Sequence, residues 1–142
     1  MIAKRMIKEH LNPADLPKWS ESFSQVVAVR TGAMRTIYVS GQVSVDADKN
    51  VVGHGDLRSQ AQVALENLSK ALAAAGATSA DVVRLGIYVK GYRGDQAAVI
   101  NSALRNTFVA ERMPTSTWLG VSSLALDELL IEIDAIAVID IE

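Results

Sequence analysis

Apolar and polar residues alternate along several stretches of the chain and fall into helical spacing along two others. Residues 24–31 and 34–40 alternate on either side of Gly32-Ala33, a turn chemistry that predicts a β-hairpin. Leu57, Ala61, Ala64, Leu65, Leu68 and Leu72 share one stripe. They predict an amphipathic helix over 56–75, capped by Asp56, stopped by Gly76 and alanine-rich enough to lie close to a sheet. Over 81–90 a strand sets Leu85, Ile87 and Val89 against Arg84, Gly86 and Tyr88. That second face is too mixed for a core and too apolar for plain solvent, so it either meets another subunit or leaves a tyrosine exposed. Asp95, after the turn at 91–94, is the expected N-cap of a second helix reaching about residue 110, with Ile100, Ala103, Leu104, Thr107 and Phe108 buried.

Residues 114–121 and 130–139 follow period two, which makes both strands. In the second, Ile131, Ile133, Ala135, Ala137 and Ile139 form a wholly apolar face, while Leu130, Glu132, Asp134, Ile136 and Val138 form the other. Glu132 thus points away from the core, where it is either solvated or set in a partly desolvated cleft able to handle a proton or a water. Gly41 interrupts the strand pattern after Ser40 and marks either a plain strand end or a bulge approached closely by something else. The order is two strands, helix, strand, helix, two strands: one α/β (α+β) domain over 1–142, with both helices on one face of a mixed sheet. Residues 1–22, broken by Pro13 and Pro17, are expected to form an irregular N-terminal arm anchored by Trp19 and Phe23.

A chain of 142 residues is long enough for a real core in a single domain. Sixteen acidic and fourteen basic residues leave no basic footprint for nucleic acid. The lack of cysteine excludes disulfides, thiolate nucleophiles and cysteine-ligated zinc, and His10 and His54 alone make a histidine metal site or triad unexpected. The turn Asp46-Ala47-Asp48-Lys49-Asn50 lacks the glycine and terminal glutamate of a calcium loop, so no metal is expected, and no cofactor either. With no signal-peptide core and no apolar run of membrane-spanning length, a cytoplasmic protein without membrane partners is expected. Positive mean hydropathy with few aromatics leaves surplus aliphatic surface, which favours a homo-oligomer.

Pro114 with the small and hydroxyl residues after it, Leu124, and the run Ile131-Glu132-Ile133-Asp134-Ala135-Ile136-Ala137 resemble the C-terminal hallmark of the RidA family, also called YjgF and formerly L-PSP. Tyr38-Val39-Ser40-Gly41-Gln42-Val43, Ala64-Leu65-Glu66-Asn67-Leu68 and the segment from Asp81-Val82-Val83 to Lys90 are similar to the same family. The resemblance implies a chorismate-mutase-like fold, a homotrimer with three small-molecule clefts at its interfaces, and hydrolysis of reactive enamines and imines to a keto acid and ammonia. It implies Glu132 as the catalytic group that positions or activates water. It also implies Gly41 offering its backbone to the ligand, Asn101 at the cleft mouth, and Phe23 where members often have tyrosine. By pattern alone, Glu132 and Asn101 read more readily as surface residues.

One position departs from the family. Deaminating members carry an arginine two residues after the proline to grip a substrate carboxylate, and here that residue is Ser116. A hydroxyl gives one neutral hydrogen bond where arginine gives two charge-assisted ones of about 1.5–3 kcal/mol each, so amino-acid-derived imines are expected to be poor substrates. Trp118 shares a strand face with Ser116 and Gly120. It is expected either to fill the same cleft, favouring a flatter, apolar or aromatic ligand, or to be interface packing. Arg35, Arg84, Arg93 and Arg112 are candidates for a replacement cation. The expected function is hydrolytic deamination of an enamine or imine other than the common 2-iminoacids, the alternative being a non-catalytic small-molecule-binding or regulatory trimer. Without a basic stripe, an aromatic stacking platform or a histidine pair, a ribonuclease role is not expected.

Overall fold

The computed structural model describes residues 5–141. Its elements are β1 (Met6–Leu11), β2 (Val26–Thr31), β3 (Met34–Val43), α1 (Leu57–Ala74), β4 (Val82–Lys90), α2 (Ala97–Thr107), β5 (Thr115–Val121) and β6 (Ile131–Asp140). The hairpin forms as its turn chemistry requires: Thr31 pairs with Met34, and Gly32 takes a left-handed φ of 61°, which a side chain would disfavour. α1 starts where Asp56 accepts the Ser59 backbone N–H at 3.3 Å, and it stops at Gly76. There the chain turns left-handed at φ 81° and Ala77 N–H returns to the Leu72 carbonyl at 2.9 Å.

The strands form one mixed sheet in the order β1-β2-β3-β6-β4-β5. β4 and β5, joined through α2, run parallel, and the other neighbouring pairs are antiparallel. β6, last in the chain, therefore lies in the middle of the sheet. Both helices pack on one sheet face, where Ile37, Leu68, Leu72, Leu85, Ile87 and Ile131 are fully buried, each contributing about 1.5–3 kcal/mol of apolar burial. Along β6 the apolar set from Ile131 to Ala137 is buried and Glu132, Asp134 and Ile136 are half-buried, so the two faces separate as the alternation predicts.

Three expectations need correction. The N-terminal arm is not irregular throughout, because Met6–Leu11 pair with β2 as the edge strand β1; residues 1–4 of that arm lie outside the described residues. Five of the six β1 residues are exposed, and the strand exists because β2 offers it an unpaired edge, not because it has an apolar face to bury. Asp95 does not cap α2: it sits in a 3₁₀ turn over Gly94–Gln96 and accepts from Arg93 at 3.2 Å. That helix also ends at Thr107, short of residue 110, where Phe108 turns extended and drives its ring into the core. Among the described residues no helix is long and apolar enough to cross a membrane.

Candidate active site

The sheet is interrupted once between β3 and β6, where the register slips between Val39 and Gln42. Gly41 sits at this bulge, and its φ is unremarkable; what it supplies is room. A Cβ there would come within 2.6 Å of the Glu132 carboxyl carbon and 2.8 Å of its Cγ, so the glutamate lies directly across the glycine backbone. Gly41 is therefore not a plain strand end, since β3 continues to Val43, but the bulge approached closely by another residue.

Glu132 points to the sheet face opposite the helices and forms the floor of a cleft of about 570 Å³ with Ser40, Gly41 and Val43. One wall is the aromatic pair Trp19 and Phe23, stacked with centroids 6.4 Å apart, and the other is the loop segment carrying Ala125, Leu126 and Leu129. Burial first, and then the charge of Asp134, hold the Glu132 carboxyl above its ordinary value. Asp134 in turn accepts the Tyr88 hydroxyl at 3.1 Å, and its charge is the main reason the Tyr88 phenol is pushed up. Gly86 leaves space beneath this pair, since a Cβ there would stand 2.9 Å from the Tyr88 oxygen. A half-buried carboxylate with raised basicity, at the bottom of a largely apolar cleft, is suited to taking a proton from water.

Buried amides hold the two walls. Gln42 donates to Gln25 at 2.7 Å, and Gln25 donates to the Pro17 carbonyl at 3.0 Å, which ties the arm bearing Trp19 and Phe23 to the bulged strand. On the opposite side Gln60, fully buried in α1, donates to the carbonyls of Gly53 at 3.1 Å and Glu128 at 3.0 Å. It also accepts the Leu130 N–H at 2.8 Å, and Lys90 fastens the Asp127 carbonyl at 2.7 Å. The loop over 122–130 thus has a fixed path although it has no regular structure.

Of the predicted residues, the structure brings Phe23, Gly41 and Glu132 together. Ser116, Trp118 and Asn101 lie elsewhere in the same chain. Ser116 pairs with Leu85 and Trp118 with Ile87, so both project on the helix side, at the β5 edge of the sheet. There Trp118 stands edge-on to Tyr92, centroids 6.4 Å apart, and donates its indole N–H to Ser116 at 3.2 Å. Asn101 is exposed on α2. None of the four arginines lines the cleft: Arg35 holds the Ala75 carbonyl and Glu9, Arg84 reaches Thr117, Arg93 pairs with Asp95, and Arg112 lines a separate hollow with Phe108. Lys49 does not line the cleft itself but stands on one of its wall residues, with Nζ 4.5 Å from the Trp19 ring centroid. Sequence reasoning placed Trp19 as an anchor and did not find Lys49, Leu126 or Leu129, because no periodic signal marks the segments that carry them. Among the described residues no three histidine, aspartate or glutamate side chains converge to hold a metal ion.

The family profile described as "Endoribonuclease L-PSP" matches residues 14–139. A protein of Dermatophagoides farinae named 2-iminobutanoate/2-iminopropanoate deaminase is 30% identical over 99% of this chain and 100% of its own. Among solved structures, the Rid-family protein YyfB of Yersinia pestis is 38% identical, with a TM-score of 0.70 over 92% of this chain and 97% of that one. TdcF of E. coli, solved with bound serine, is 26% identical, with a TM-score of 0.76 over 93% of this chain and 99% of that one. A bulged glycine under a half-buried glutamate, on a sheet of this order and with matches along nearly its whole length, makes the chain a member of the RidA family, also known as YjgF or L-PSP.

Proposed function

We propose that the protein is an enamine or imine deaminase acting in the cytoplasm on a compound other than the common 2-iminoacids, at clefts completed between copies of a homotrimer in the chorismate-mutase-like arrangement. The observation that carries this reading is Glu132, held half-buried against Gly41 in an apolar cleft and made more basic by burial and by Asp134. In the proposed reaction its carboxylate takes a proton from water as the water oxygen bonds to the imine carbon and the C=N electron pair moves to nitrogen. The carboxyl then returns that proton to nitrogen, giving a carbinolamine. Collapse of the carbinolamine passes the hydroxyl proton to the amine, forms the carbonyl and releases ammonia. Imine and water are consumed, a carbonyl compound and ammonia are formed, and no cofactor is needed. The activity named for the mite relative supports the reaction class.

Ser116, Trp118 and Asn101 would enter the cleft from a neighbouring copy, which the exposed β5 edge and the uncovered sheet face would allow. A panel of imines generated in situ by amino-acid oxidases, with their decay followed spectroscopically, tests the proposal. At least one imine should be consumed by the wild type, and Glu132→Gln should lower kcat by about a hundredfold or more, the usual range for a general base. Ser116→Arg should raise 2-iminopropanoate turnover by about tenfold. If no imine on the panel decays faster with the protein than without it, the hydrolase reading is wrong.

A second reading, a binding or regulatory trimer without turnover, draws support from Ser116, whose hydroxyl is already engaged by the Trp118 indole. Keto acids that raise the Tm while every imine survives would favour it.

A further inference from the structure

The cleft is large for a short imino acid. Within one copy, before any side chain of a neighbouring copy enters, it measures about 570 Å³, in the range of sites for extended ligands. Its walls are Trp19 and Phe23 on one side and Leu126 and Leu129 on the other, an environment for a flat or branched apolar group. No cation lines these walls among the described residues, but one stands on a wall residue: Lys49 Nζ lies 4.5 Å from the Trp19 ring centroid and has no ion pair among the described residues.

Lys49 sits in a strained turn. Among the described residues Lys49 is the one non-glycine with a left-handed φ, 70°, a conformation that glycine or asparagine adopts with less strain. The turn is held by Asp46, which accepts Asp48 N–H at 3.0 Å, Asn50 N–H at 2.9 Å and the Asn50 amide at 3.2 Å. Those bonds keep the Asp46 carboxyl below its ordinary value, so it stays charged and the turn stays closed near neutrality. The carboxylate is thus committed to backbone and amide donors and does not pair with the Lys49 ammonium, which stands on the Trp19 ring.

Granted the imine reading above, we infer that Lys49 replaces the missing guanidinium and binds the carboxylate of an imino acid whose large apolar or aromatic side chain lies between the Trp19–Phe23 wall and Leu126 and Leu129. The ammonium leaves the Trp19 face to meet the carboxylate at the rim, while the C=N carbon sits over Glu132. Lysine serves as a point charge where arginine would form a planar fork, so orientation comes from the apolar side chain and not from the acid group.

Keto-acid products are stable probes of this site, and calorimetric titration reads their binding without any turnover. Wild type should bind phenylpyruvate about tenfold more tightly than pyruvate, the scale of one buried aromatic contact. Lys49→Met should weaken phenylpyruvate by about tenfold, Lys49→Arg should restore most of it, and the uncharged methyl ester should bind wild type and Lys49→Met alike. Trp19→Leu, which keeps apolar bulk in the arm, should narrow the preference over pyruvate. If Lys49→Met binds phenylpyruvate as wild type does, or if pyruvate binds as tightly, the inference is overturned. If the binding pattern holds while no imine is consumed, the hydrolase reading falls and the ligand assignment stands.

Discussion

Glu132 is asked to do two opposing things: to be buried enough to be basic and wet enough to receive water. Its pKa is raised by burial and by Asp134, so a rate that requires the carboxylate form should rise with pH through that raised value. Asp134→Asn removes the second cause, and the acid limb of the kcat/KM profile should move to lower pH. The same shift affects folding. With the folded pKa above the unfolded one, the native state holds the extra proton, and this group's contribution to stability falls as pH rises from the unfolded value through the folded one. Glu132→Gln should therefore raise the Tm near neutrality and flatten its dependence on pH across the acidic range, as thermal unfolding between pH 4 and 8 would show. Gly41→Ala should act through the same carboxylate. Its Cβ would need the space that Glu132 occupies, so kcat should fall by about a hundredfold while the circular dichroism spectrum stays native. The strand alternation fixes that Glu132 points away from the core, because period two sets which way every second side chain points, but it reads there as a surface carboxylate until the family resemblance marks it. That Trp19 walls the same cleft and that Lys49 stands on its ring could not be read from the sequence, since both depend on a chain path set by the amides of Gln25 and Gln42 and by the carboxylate of Asp46.

At the scale of elements, the loop over 122–130 is tied down by hydrogen bonds at Asp127, Glu128 and Leu130 although it has no regular structure. Gln60 supplies its anchoring, and Gln60→Leu leaves the Leu130 N–H and the Gly53 and Glu128 carbonyls without their partner. The expected cost is roughly 2–5 kcal/mol, measurable by denaturant titration, with early loss of hydrogen-exchange protection at Leu130. α1 was readable from its leucine and alanine stripe, yet Gln60 and Asn67 lie buried on that same helix, and only the three-dimensional path of their partners explains a polar residue there. The hairpin was readable because Gly32 meets a local steric demand. β1 was not, because its pairing satisfies the backbone of β2 and leaves no mark on its own side-chain pattern.

At the scale of the molecule, the uncovered sheet face is the feature that most needs a partner. Tyr38 and Leu119 are about half exposed there, beside Ile136 and Val138, which are only partly covered. On the proposed trimer, sedimentation should give a mass of three chains, and Ile136→Glu should give single chains that keep their secondary structure but lose turnover, because the proposed meeting of Ser116, Trp118 and Asn101 with a neighbour's Glu132 would be lost.

The position of β6 bears on how the protein comes into being. Its neighbours β3 and β4 each pair with it and not with each other, so residues 131–140 are what joins the two parts of the sheet, and the core contributed by Ile131 and Ile133 arrives with that strand. A growing polypeptide therefore cannot close its sheet on the ribosome until the stretch ending at Asp140 has cleared the exit tunnel. Clipping that stretch from the finished protein would not trim an edge but remove the middle of the sheet. The acid that performs the proposed chemistry rides on the same strand, so a chain that fails to complete its fold is also one that never acquires its reactive group.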